Sequence, residues 1–227
     1  MNYISTTIPK EGELSKYDME GDAHMMTGIE TPMRPDAFDM SDEEKMEKIE
    51  HHFKIIMETL GLDLEDDSLK GTPHRVAKMY VKEIFRGLDP KNMPKISVFD
   101  NKYQYNKMLV EKDVSFASNC EHHFLPIIGK AHVGYVSSGK VIGLSKINRI
   151  VDYFARRPQV QERMTVQIFE ELKKILDTNN VIVVIDAAHM CVSTRGVNDT
   201  SSSTVTMQYG GIFNEPSERN DFFRTLD

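Results

Sequence analysis

The sequence predicts an α+β protein built on an antiparallel sheet, and three observations carry that reading. Helical patterns, a strand-rich middle, two further helices and two closing strands are grouped in the chain rather than alternating one by one. Apolar spacing changes from helical to strand period between these segments. The strand-rich middle contains a short turn, Ser137-Ser138-Gly139, of the kind that joins antiparallel neighbours.

Ser41 and Glu44 form a capping-box pattern, followed by Met46, Ile49, Phe53, Ile56, Met57 and Leu60 at helical spacing, so a first helix is expected from Ser41 until Gly61 stops it. A second is expected to open at Thr72-Pro73, with Thr72 as N-cap, and to run to Gly87. Strands are expected over Met108 to Ala117, Ile127 to Val136 and Val141 to Leu144, the last two forming a hairpin. Helices follow over Ser145 to Arg157 and from about Pro158 to Asn179. The apolar run Val181 to Ala187 and the alternating Thr204 to Tyr209 return to strand.

The chain has 227 residues, 40% of them hydrophobic, enough for a substantial core in one domain with appendages. The start lacks a basic stretch followed by an apolar one, and no segment approaches the ~18 apolar residues of a membrane span, which predicts a cytoplasmic protein that binds no membrane. Reduced cysteines are then expected rather than a disulfide. The net charge of -7 is uneven: residues 1–45 hold four Lys/Arg against eleven Asp/Glu, leaving 24 of each in residues 46–227. Such a balanced body lacks the positive field that nucleic acid favours.

Only two cysteines are present, and histidines flank both: Cys120-Glu121-His122-His123 and His189-Met190-Cys191. The C-x2-H spacing of Cys120 and His123 suits a tight turn converging on one ion, with Cys191 supplied from elsewhere. Two thiolates and one imidazole favour zinc with its fourth position open, as in catalytic sites. Read as one strand through Cys191, the second segment would point His189 and Cys191 to the same face. His122 and His189 are then candidates for acid-base work beside the metal.

On the helix from Ser145, Ile147, Ile150, Val151 and Phe154 form an apolar stripe, while Lys146, Arg149 and Arg156 gather elsewhere. A solvated face is the ordinary reading of such a basic stripe. Its sequel points to a site: Gln161-Glu162 opens the next helix, and Arg195 follows the second cysteine. Cations would neutralise phosphates, and the Glu162 carboxylate could accept from N1-H and the N2 amine of guanine, a pairing that adenine cannot offer.

These residues lie in segments that together resemble the GTP cyclohydrolase I family: Gly71-Thr72-Pro73-His74-Arg75-Val76-Ala77, Cys120-Glu121-His122-His123, Ile142-Gly143-Leu144-Ser145-Lys146-Ile147-Asn148-Arg149, Arg157-Pro158-Gln159-Val160-Gln161-Glu162-Arg163 and His189-Met190-Cys191. The resemblance covers Ser41 to the C-terminus. It implies the tunnelling fold, a four-stranded antiparallel sheet with helices on one side that assembles into β-barrel rings, two pentamers making a homodecamer. Residues 1–40 would be an acidic, mobile arm, 41–92 an N-terminal helical region and 93–227 the catalytic domain.

The resemblance also implies that Cys120, His123 and Cys191 hold one Zn2+ per subunit, activating water to attack C8 of GTP. His122 and His189 would move protons and Ser145 would assist near the ribose, although it could equally cap its helix. Gln161 and Glu162 would read guanine, and Lys146, Arg149, Arg195 and Arg75 would hold triphosphate, Arg75 in a neighbouring subunit's site. The product would be 7,8-dihydroneopterin triphosphate, with formate released, at the first step of tetrahydrofolate or pterin biosynthesis. Thr194 and the Met207 to Gly211 stretch depart from the family's commoner residues without removing a site residue. The rivals are a nitrile reductase of the same fold, needing a nucleophilic cysteine and a nicotinamide, and a zinc-stabilised nucleotide-binding scaffold without turnover.

Overall fold

The computed structural model describes residues 28–227. Helix α1, Asp42–Thr59, starts at the expected capping box: the Ser41 hydroxyl accepts from Glu44 N–H, and the Glu44 carboxylate accepts from Ser41 N–H. Gly61 follows it at φ 81°, a left-handed conformation that glycine adopts without strain. Helix α2, Thr72–Lys78, continues as a π-helical stretch, Met79–Ile84. Its N-cap is Gly71, so Thr72 is the first helical residue rather than the expected cap.

The principal sheet has the order β5-β2-β3-β6-β7. Strands β2 (Met108–Cys120), β3 (Pro126–Val136), β6 (Val181–His189) and β7 (Thr204–Tyr209) are antiparallel neighbours, as expected. Two-residue β5 (Pro158–Gln159) joins β2 in parallel, where the sequence reading had placed the start of a helix. A second correction concerns β4 (Lys140–Ile142), which pairs with β1 (Val98–Asp100) in a separate ribbon instead of returning on β3.

Helix α3 spans Leu144–Ala155 with Gly143 as N-cap, so Ser145 does not cap it. Helix α4, Gln161–Leu176, ends at Asp177, whose left-handed φ of 52° breaks the run short of Asn179. Both pack on one sheet face: Ile147, Val151 and Phe154 of α3 and Met164, Ile168 and Leu172 of α4 join Val181, Val183 and Ile185 of β6 in the main core. The two-residue period of β6 turns Ile182 and Val184 to the other face, where they pack with Phe213 and with Phe222 of α6 (Pro216–Arg224). The longer helices α3 and α4 thus lie on one face, while α6 covers only one end of the other, where Ile128, Val205 and Met207 stay exposed.

The expected arm lies largely outside the described residues. In its described part, Arg163 donates to the Gly28 carbonyl and Gln167 to the Ile29 carbonyl.

Candidate metal and nucleotide site

Strand pairing brings the two cysteine segments together. Cys120 ends β2, and its N–H donates to the Leu125 carbonyl while Phe124 N–H donates back to the Cys120 carbonyl, both at 2.8 Å. This closes a tight turn carrying His122 and His123. In the β3–β6 register Ile127 faces His189, so the end of β6 reaches that turn. There the strand reading of Cys191 fails: β6 stops at His189, and Met190–Ser193 forms a helical turn, α5. Cys191 reaches the cluster by helical geometry rather than by strand alternation.

One ligand atom from each of Cys120, His123 and Cys191 lies within 4.8 Å of the others. This is the only such group with metal-ligating chemistry among the described residues. Two soft sulfurs and one imidazole nitrogen fit zinc, and three protein donors leave a coordination position to spare. Both thiols are free, Cys120 buried and Cys191 half-buried. Burial pushes the Cys191 thiol up, with Cys120 adding to the effect. Metal binding here must release protons.

The surrounding groups are ordered by hydrogen bonds. His122 Nδ1 lies 3.6 Å from Cys120 Sγ. Arg195 Nη1 donates to His123 Nε2 at 2.9 Å, which places its guanidinium at the rim of the cluster. His189 Nε2 lies 2.8 Å from Gln161 Oε1, and the Gln161 amide donates to the Ile185 and Thr204 carbonyls and the Thr206 hydroxyl. Burial holds His189 below the ordinary imidazole value, while the nearby Glu162 charge opposes that shift. Glu162 is exposed in the first turn of α4.

Other expected substrate residues lie apart from this cluster within one chain. Arg149 lines a cavity of about 240 Å3 with Arg86, Pro94 and Asp152. Arg75 donates to the Ser68 carbonyl and the Thr72 hydroxyl in the N-terminal helical region. Lys146 and Ser145 occupy the first turn of α3. Arg157 is buried against the rings of Tyr153 and Phe154. Sequence reasoning gave no role to Glu121 and Arg163, which form a partly buried ion pair from the ligand turn to α4. The adjacency of Glu121 to Cys120 and of Arg163 to Glu162 was the available signal.

Fold and site define an α+β protein with a Cys2His cluster able to hold a metal ion. The family model for GTP cyclohydrolase I matches residues 49–227. A GTP cyclohydrolase 1 of Flavobacterium johnsoniae is 59% identical over 205 residues, 90% of this chain and 92% of the relative. One of Vibrio parahaemolyticus is 56% identical over 88% of this chain and 91% of the relative, and one of Aeromonas hydrophila 51% over 97% and 99%. The chain belongs to the GTP cyclohydrolase I family.

Proposed function

We propose that this protein converts GTP and water to 7,8-dihydroneopterin triphosphate and formate, with zinc held by Cys120, His123 and Cys191. The observation that carries the reading is the convergence of those three ligand atoms within 4.8 Å, with His122 and His189 beside them. Those three residues would hold zinc, which would supply Lewis acidity to a water beside C8 of guanine. The remaining chemistry falls to side chains of this chain.

Burial lowers the His189 pKa and so favours the neutral ring, and its Nε2–H donates to Gln161 Oε1. Its Nδ1 is then an acceptor able to take and return a proton as the imidazole ring of guanine opens. His122, on the ligand turn, is the second proton-transfer group, and Ser145 assists the later ribose steps. Glu162 reads the guanine edge through two acceptor oxygens. Gln161, whose amide already serves β6 and β7, supports base recognition by fixing the mouth of the site.

Arg195, at the cluster rim, can exchange its His123 partner for an anionic substrate group. Lys146, Arg149 and Arg75 complete the triphosphate site in an assembly, with Arg75 contributing to a neighbouring subunit. The tunnelling fold and a homodecamer of two pentameric rings suit the sheet edges. Among the described residues β7 pairs only with β6, and most of β2 has a partner on one side only. Residues 41–92 act in this reading as the helical region and 93–227 as the catalytic domain, in the cytoplasm. No described helix is long and apolar enough to cross a membrane.

A nitrile reductase would need a free nucleophilic thiol, which Cys120 acting as a zinc ligand would not supply. Incubating the zinc-loaded protein with GTP and following pterin fluorescence tests the proposal. Fluorescence should grow with GTP and stop when zinc is chelated; its absence from the loaded protein would overturn the reading.

A further inference from the structure

Glu121 stands between the ligand Cys120 and the two histidines of the turn, yet its carboxylate is directed to another partner. Arg163 Nη1 donates to Glu121 Oε2 at 2.5 Å and Nη2 to Oε1 at 3.3 Å, a two-pronged pair. The pair is shielded: the Arg163 side chain is 4% exposed and that of Glu121 20%. The third donor direction of the guanidinium is also used, since Nε donates to the Gly28 carbonyl at 3.1 Å.

The pair belongs to a wider frame. Glu121 N–H donates to the Gln159 carbonyl at 3.0 Å, which ties the ligand turn to β5. The Gln159 amide donates to the Gln167 side-chain oxygen at 2.8 Å, and the Gln167 amide donates to the Ile29 carbonyl at 2.7 Å. The ligand turn, the first two turns of α4 and the segment at Gly28–Ile29 are thus joined by largely shielded polar contacts. Arg163 occupies the junction, one residue from Glu162.

We propose that Arg163 is a positioning residue that fixes the Cys120–His123 ligand turn relative to the base-reading Glu162, with the Gly28 carbonyl setting the orientation of its fork. The inference rests on the reading that the cluster holds zinc. Groups that orient metal ligands from behind govern both affinity and activity, and a lysine cannot reproduce a planar fork with three separate directions. A buried pair is also asymmetric, since losing one member strands the charge of the other.

The test uses the full chain, measuring zinc affinity by chelator competition in wild type, Arg163→Lys, Glu121→Gln and the double variant. Each single change should weaken zinc binding by about 10- to 100-fold. The double variant should be no weaker than the worse single one, because both changes break the same contact. Cobalt(II) substituted into Arg163→Lys should give a visible spectrum different from wild type, which a purely fold-stabilising pair would leave unchanged. Unchanged zinc affinity in both single variants, or losses that multiply in the double, would overturn the proposal. If Arg163→Lys does not fold, Glu121→Gln, which keeps the side-chain shape, decides by the same zinc measurement. Failure of the wild-type protein to bind zinc would overturn the metal reading and this inference together; zinc bound equally by wild type and variants would overturn this inference alone.

Discussion

His189 Nε2 lies 2.8 Å from Gln161 Oε1, and because an amide oxygen only accepts, the imidazole is the donor. Gln161 in turn is held by three acceptors, the Ile185 carbonyl on β6 and the Thr204 carbonyl and Thr206 hydroxyl on β7. Its replacement should therefore be felt both in stability and in catalysis. Gln161→Met keeps the length and removes the hydrogen bonds, leaving buried carbonyls unmatched. Unfolding free energy should fall by roughly 1–3 kcal/mol in a denaturant titration, and turnover should fall, though less than in His189→Ala. Unchanged stability would show that water replaces the amide.

The metal ligands and the proton-transfer groups should separate on mutation. Cys191→Ser is expected to lose zinc and turnover together. His189→Ala should retain zinc while turnover drops by about 10²–10⁴-fold. Metal analysis alongside steady-state rates checks both, and full zinc retention by Cys191→Ser would remove that residue from the ligand set.

Glu162→Ala should weaken GTP binding by roughly 1–3 kcal/mol, since guanine would lose a two-point acceptor. The loss should be smaller for an inosine nucleotide, which lacks the N2 amine. Calorimetric titration of a turnover-deficient variant reads both affinities, and equal GTP affinity with and without Glu162 would contradict base reading by this carboxylate.

His132 offers a pH test remote from the metal. Its titration lies below the ordinary imidazole value, chiefly through burial, with the Asp113 charge opposing. Its Nδ1 also accepts from Asp113 N–H at 3.2 Å, in the bulge of β2, so the folded state favours the neutral ring. The unfolded chain then binds the proton more readily, and stability declines as pH falls below about 6.5. His132→Gln should flatten the fall in melting temperature over that range. A variant as acid-sensitive as the wild type would exclude this group as a cause.

Much of this was legible in the chain. The Ser41–Glu44 box and the helical spacing after it specify α1 locally, and the alternation through Thr204 to Tyr209 specifies β7. Both signals are carried by neighbours in sequence. Less legible were features decided by distant contacts: β4 pairs with β1 rather than β3, and α6 packs on one end of the second sheet face through Phe222. The Cys2His cluster was legible because histidines crowd both cysteines. The turn at Met190–Ser193 was not, because the apolar strand pattern runs into it without a breaking residue. The Glu121–Arg163 pair was hidden for another reason. Its members are 42 positions apart, and charged residues in sequence give no sign of burial.

The most direct test of the account follows the carbon it places at the reaction centre. GTP labelled at C8 should be supplied to the zinc-loaded protein and the label traced. One labelled formate released per dihydroneopterin triphosphate formed is the expected result. Label retained in the nucleotide or in the pterin product would contradict the account.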